Sequence, residues 1–142
     1  LRLLHYPPRP PELDERVLGA RVHTDTGAFT ILLQDQIGGL EVQNADGEWV
    51  AATPMEGAFV VNVGDMLQNW TNGRFISIKH RVINRSGKER YSVPYFLNPD
   101  LTALVEPLPE FVSDDNPPRF EPVHVGEFLS KRFDSIWPRM AT

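Results

Sequence analysis

Glycine and proline interrupt this chain so often that little room is left for long regular elements. Ten glycines and thirteen prolines sit among 142 residues, above the usual combined share of roughly 12%. Between them lie short apolar runs: Phe29-Gln34, Leu40-Gln43, Trp49-Ala52, Ala58-Val63, Ile78-Ile83 and Arg90-Leu97. They are separated by turn signals such as Gly38-Gly39, Ala45-Asp46-Gly47, Asn72-Gly73 and Ser86-Gly87. A strand every 8–12 residues or so predicts a sandwich, barrel or jelly roll. A further strand opens the chain at Leu1-Tyr6, and Pro7-Pro8-Arg9-Pro10-Pro11 ends it, because proline cannot donate to a ladder.

Two helical patterns stand apart from the strands. Asp65 can cap a single turn carrying Met66, Leu67 and Trp70, up to Thr71. After the polar stretch Ser113-Pro118, the residues Val125, Phe128, Leu129, Phe133 and Ile136 recur on one helical face that Pro138 would end. We therefore expect an all-β core over 1–112, with a loop and a C-terminal α-helix over 113–142 packed on the outside of the sheet. Trp49 and Trp70 read as packing aromatics, and Trp137 as the point where the last helix docks. Gly38, Gly39, Gly64 and Gly73 read as turn glycines.

Composition removes several kinds of chemistry. A net charge of -5 with both signs mixed along the chain argues against a nucleic-acid groove. No apolar run approaches the roughly 18 residues of a membrane span, so no membrane partner is expected. The absence of cysteine excludes thiol nucleophiles, disulfides and thiolate metal sites, and fits a reducing, cytoplasmic setting. Any imidazole metal site must draw on His5, His23, His80 and His124. The chain opens at Leu1 in a pattern already alternating like a strand, which leads us to expect a fragment of a longer protein.

Side-chain direction sorts these histidines. His23 and Asp25 are two apart and share a face if the segment is extended. In Ile78-Ile83, His80 points with Ile78 and Val82 toward the core, while Lys79 and Arg81 face away. Two imidazoles and one carboxylate on one cavity satisfy the donor list of a mononuclear non-haem iron(II) site, which leaves three coordination positions open. Taken singly, each has an ordinary alternative: a strand histidine can be a hydrogen-bonded core residue, and Thr24-Gly27 can be a turn.

In Arg90-Leu97, the residues Arg90, Ser92, Pro94 and Phe96 share one face, and Tyr91, Val93 and Tyr95 the other. A buried guanidinium needs a partner. Arg90 with Ser92 makes a good receptor for a ligand carboxylate, since arginine can pair bidentately and serine adds a donor. Equally, Arg90 can neutralise an internal acid. Arg81, facing outward, is expected to pair with a carboxylate of the sheet surface. His5 is expected opposite to Tyr6, and His124 exposed.

Several stretches in this order carry a family resemblance. They are His23-Thr24-Asp25, Leu33-Gln34-Asp35-Gln36-Ile37-Gly38-Gly39-Leu40-Glu41-Val42, Val61-Asn62-Val63-Gly64-Asp65, Thr71-Asn72-Gly73-Arg74-Phe75, His80-Arg81-Val82 and Arg90-Tyr91-Ser92-Val93-Pro94-Tyr95-Phe96. With them the chain resembles, over nearly its whole length, the iron(II)- and 2-oxoglutarate-dependent oxygenases of the isopenicillin N synthase-like group. The resemblance implies a double-stranded β-helix, or jelly roll, as part of a larger α+β enzyme. It also implies His23, Asp25 and His80 as iron ligands and Arg90 with Ser92 as receptor for the distal carboxylate of 2-oxoglutarate. Many members carry Asn-x-Tyr-Pro, whose tyrosine helps hold that cosubstrate; here Tyr6-Pro7 matches and Leu4 replaces the asparagine. Phe96 matches a position that often lines the substrate pocket, and also suits a core aromatic. The implied reaction uses O2 and 2-oxoglutarate to hydroxylate, desaturate or cyclise a small molecule, forming succinate and CO2. Two alternatives stand beside it: an iron oxidase of the isopenicillin N synthase type that needs no 2-oxoglutarate, and a non-catalytic jelly-roll binding module.

Overall fold

The computed structural model describes residues 1–8 and 19–136, with side chains described through residue 132. The expected ends of two elements, Arg9-Pro11 after the first strand and Trp137 with Pro138 after the last helix, lie outside the described residues. So do the side chains of Phe133 and Ile136.

Eight strands form two four-stranded antiparallel sheets that face each other. In chain order they are β1 (Leu4–Tyr6), β2 (Ala20–His23), β3 (Phe29–Gln34), β4 (Leu40–Gln43), β5 (Trp49–Ala51), β6 (Val60–Val63), β7 (His80–Val82) and β8 (Arg90–Leu97). One sheet runs β1-β8-β3-β6 and the other β2-β7-β4-β5, so the chain passes repeatedly from sheet to sheet. This is a jelly roll, one of the three architectures that the punctuation predicts and the one that the resemblance implies. The strands β3, β4 and β8 keep the bounds read from the sequence. Others are shorter at their ends. At the start of the run expected for β6, the Ala58 N–H closes a turn onto the Met55 carbonyl; just before the run expected for β7, the Ser77 N–H donates to the Gln68 side chain at 2.7 Å. The first strand likewise covers only its last three expected residues.

The two sheets present very different outer faces. Arg81 of β7, and Arg85 beyond that strand, each donate to Glu41 of β4 at 2.7 Å, and the Arg81 guanidinium stacks 4.1 Å above the Trp49 ring. Arg81 thus pairs with a sheet carboxylate as expected. Burial works to raise the Glu41 pKa, but the two arginines outweigh it and hold the carboxyl below its ordinary value. The outer face of β3, β6 and β8 carries exposed Leu33, Val61, Tyr91 and Tyr95 instead.

A short helix α1 (Asp65–Trp70) follows β6, as its spacing predicts, but Asp65 is its first residue and not its cap: Gly64 holds the cap position, and the Asp65 carboxylate accepts from Thr24 Oγ1 at 3.2 Å instead. Two further strands, β9 (Leu104–Val105) and β10 (Val123–His124), pair with one another and lead into α2 (Val125–Ile136). At two residues each, β9 and β10 are too short to leave an alternating pattern. Val125 and Leu129 of α2 close a small core with Met66 of α1 and Val105 of β9, and Trp70 and Phe128 pack against it. The last helix therefore meets the jelly roll through α1 and β9 rather than lying directly on a sheet face. His124 is exposed, as expected. Among the described residues, no helix is long and apolar enough to cross a membrane.

Candidate active site

Between the sheets lies a cavity of about 830 Å³, mostly apolar in its lining. The alternation read from the sequence holds around it: His80 and Val82 line it from β7, Ile78 from just before that strand, and Arg90, Ser92, Pro94 and Phe96 from β8. His23 and Asp25 reach it from β2 and the bend that follows.

The strand β2 ends at His23, so Asp25 stands just beyond it and not within an extended run. Contacts from α1 hold it in place. The Asp65 N–H donates to the Asp25 carbonyl at 2.7 Å, the Gly64 N–H to Ala28 at 2.8 Å and the Met66 N–H to Gly27 at 3.1 Å. Gly64, read from sequence as a turn glycine, has φ -103, which any residue can adopt. It is glycine for another reason: a Cβ there would drive into the Gly27 backbone.

At the centre, His23 Nε2 lies 3.9 Å and His80 Nε2 3.7 Å from the same oxygen, Asp25 Oδ1. The three donor atoms lie within 4.8 Å of one another. Their neighbours leave those atoms free to face inward. His23 Nδ1 contacts the Arg21 carbonyl at 2.6 Å, and His80 Nδ1 the Ile78 carbonyl at 3.2 Å. Such bonds put the hydrogen on Nδ1 and the lone pair on Nε2, as a metal-binding imidazole requires. Asp25 Oδ2 accepts from Thr30 Oγ1 at 2.6 Å and Asn62 Nδ2 at 2.7 Å. That leaves Oδ1 for a cation. Burial, and then the His23 charge, push the His80 pKa down, with Asp25 and the Ile78 carbonyl opposing, so the neutral ligating form is favoured. Two nitrogens and one oxygen on one side of a cavity fit iron(II) and leave its remaining positions facing open space.

Farther along the cavity, Arg90 is 1% exposed and Ser92 3%. Arg90 Nε donates to the Gly38 carbonyl at 2.6 Å, and its two terminal nitrogens to Ser92 Oγ and Gln34 Oε1, each at 3.3 Å. These acceptors are all neutral. The nearby acid, Asp35, is engaged by the N–H groups of Ile37 and Tyr91. Burial pushes the Arg90 pKa down, while Tyr6 and Asp35 act to retain the charge. Of the two readings for Arg90, an internal ion pair is not what these contacts form.

Tyr6 lines the same cavity, opposite Arg90 in the β1–β8 register. Its ring centre is 4.8 Å from the Arg90 guanidinium carbon. His5 points the other way and stacks on Tyr91 at 4.7 Å. Leu4, which replaces the asparagine of the usual motif, lines the cavity without offering a polar group. Phe96 is also at the wall, with the Arg2 guanidinium 5.7 Å from its ring. Sequence reasoning assigned no role to Thr30, Gln34 or Asn62. The inward alternation of β3 and β6 is the signal that could have found them.

The described residues also bring Asn84 to this cavity, where its amide donates to the Pro7 carbonyl at 3.2 Å and the Lys88 carbonyl at 2.7 Å. It ties the end of β1, and with it Tyr6, to the turn before β8.

Comparison with known proteins agrees with this geometry. The family model described as 2OG-Fe(II) oxygenase superfamily matches residues 1–99. The chain is 38% identical over 141 residues to the 2-oxoglutarate-Fe(II) type oxidoreductase hxnY of Emericella nidulans, covering 98% of this chain and 40% of that protein. It is 50% identical over 111 residues to the 2-oxoglutarate-dependent dioxygenase citB of Monascus ruber, covering 76% and 34%. The fold matches the crystal structure of a full-length Neurospora crassa protein in complex with alpha-KG and thymine. There the TM-score is 0.88 at 34% identity, over 95% of this chain and 43% of that one. The chain thus spans about two fifths of the length of such relatives. With the jelly roll, the convergent donors and these matches together, the chain belongs to the 2OG-Fe(II) oxygenase superfamily.

Proposed function

We propose that this chain forms the catalytic core of an Fe(II)- and 2-oxoglutarate-dependent dioxygenase that hydroxylates, desaturates or cyclises a small molecule. One observation carries the reading: a three-donor cluster and a buried, un-neutralised arginine face the same cavity. His23, Asp25 and His80 would hold the iron. Bound iron(II) with O2 and 2-oxoglutarate supplies the oxidising chemistry, with succinate and CO2 as products.

The protein's part is positioning. Arg90 offers its charge, and Ser92 a hydroxyl, to the far carboxylate of 2-oxoglutarate. Tyr6 packs beneath the guanidinium and limits where that carboxylate can sit. Asp25 keeps one oxygen inward because Thr30 and Asn62 hold the other. The apolar walls, Phe96 among them, exclude water from the reacting carbon and select the substrate by shape. The bound alpha-KG and thymine of the Neurospora crassa relative support a 2-oxo diacid with a small organic substrate.

The test is the full-length protein incubated with iron(II), 2-oxoglutarate and oxygen. Succinate should form, slowly even without substrate. None, with or without candidate substrates, overturns the reading; oxidation that consumes no 2-oxoglutarate would reassign the protein to the oxidase class. We also propose a cytoplasmic location, supported by the lack of cysteine in this chain, which cell fractionation would check.

A further inference from the structure

Gln34 ends β3 and lies directly across the ladder from Ser92 of β8. It is buried, and its side chain joins the two sheets. Its Nε2 donates to the Ala52 carbonyl at 3.1 Å, one residue past β5. A carbonyl only accepts, so that bond decides which end of the amide is nitrogen and aims Oε1 back into the cavity. There Oε1 accepts from one terminal nitrogen of Arg90 at 3.3 Å.

At the neighbouring corner of the guanidinium, Nε donates to the Gly38 carbonyl at 2.6 Å. That carbonyl is aimed by two consecutive left-handed residues, Gly38 at φ 81 and Gly39 at φ 87. The remaining terminal nitrogen donates to Ser92 Oγ at 3.3 Å, a hydroxyl free to rotate toward a ligand. A guanidinium is planar, so the two acceptors fixed by backbone contacts, the Gly38 carbonyl and the Gln34 amide, define the plane in which its fork can meet a carboxylate. Because both acceptors are neutral, the fork is oriented without losing its charge. A glutamate at position 34 would orient the fork and cancel it. An apolar residue would leave the charge but remove one of the two fixed acceptors, so that the plane is held less firmly.

We propose that Gln34 is a positioning residue that fixes the plane of the Arg90 guanidinium, and thereby sets the preference of the site for 2-oxo diacids over 2-oxo monoacids. The inference rests on the reading of Arg90 given above.

The experiment uses the full-length protein loaded with iron(II) under anaerobic conditions. It is titrated calorimetrically with 2-oxoglutarate and with 2-oxobutyrate, which lacks the second carboxylate. Gln34→Leu should weaken 2-oxoglutarate binding about tenfold, the scale of one hydrogen bond to a charged group. Binding of 2-oxobutyrate and of iron should stay within about twofold. Gln34→Glu should weaken 2-oxoglutarate further still. An unchanged preference between the two acids in Gln34→Leu, or equal losses for both, overturns the proposal, because a merely structural role moves both alike. If Gln34→Leu does not fold, Gln34→Met keeps the length and apolar character and is read by the same ratio. A wild-type protein with no preference for the diacid would sink the reading of Arg90 itself, and the Gln34 proposal with it. That result is distinct from a failure confined to the variants.

Discussion

The hydrogen bonds behind Asp25 offer the sharpest test of how the site is built. Its Oδ2 accepts from Thr30 at 2.6 Å and from Asn62 at 2.7 Å, while Oδ1 faces both imidazoles. Asn62→Leu removes one donor from a carboxylate that is 7% exposed, where water cannot easily replace it. A hydrogen bond to a charged group contributes about 1.5–3 kcal/mol. At about 1.4 kcal/mol per factor of ten, that is a loss of roughly 10- to 100-fold in iron affinity. The same range applies to groups that orient metal ligands in general. The assay is an anaerobic iron(II) titration of the full-length protein, with Asp25→Ala marking complete loss of the ligand. Thr30→Val should fall in the same range. The double variant should cost less than the sum, because both donors serve one oxygen and the carboxylate is free to turn once either is gone. Wild-type iron affinity in both single variants would refute the reasoning, and equal binding by wild type and Asp25→Ala would sink the metal assignment altogether.

Other consequences follow from the same contacts. Arg90→Lys should weaken 2-oxoglutarate binding by at least about tenfold, since an ammonium cannot reproduce the fork; unchanged affinity by titration would move the anchor elsewhere. The metal-free protein should lose stability as pH falls below the ordinary histidine range. Burial and His23 lower the His80 pKa in the folded state, so the unfolded chain binds the proton first. The stability is present in full above the unfolded value and is lost as pH falls toward and through the folded one. Thermal unfolding against pH should show this slope in wild type and a shallower one in His80→Gln; identical slopes would count against it. Gly64→Ala should destabilise by about 1–3 kcal/mol through overpacking against the Gly27 backbone. It should weaken iron binding as well, because the displaced bend carries Asp25. A drop in thermal stability with full iron affinity would show that the bend adjusts without moving the carboxylate.

Much of this molecule is legible along the chain, and the reason is local. Strands β3, β4 and β8 are bounded by turn residues and carry a period of two, so their limits and facing directions follow from alternation alone. The same rule places His80, Arg90 and Ser92 on the inner face. The short strands β9 and β10 escape such reading because two residues cannot display a period. The trimmed start of β6 escapes it because Ala58 spends its N–H on the turn to Met55.

What only the tertiary structure decided is which polar groups meet. Asn62 reaches Asp25 across 37 residues of sequence, and Gln34 meets Ala52 across 18 and Arg90 across 56. An asparagine or glutamine carries no charge and no strong local signal, so its role depends on what the packed sheets bring within three ångströms or so. The sequence by itself determined the alternation, the ligand types and the family to which the chain belongs. Folding determined that Asp25, just past the end of its strand, is still aimed at the histidines, because α1 grips the bend and two buried amide and hydroxyl donors hold the carboxylate in place.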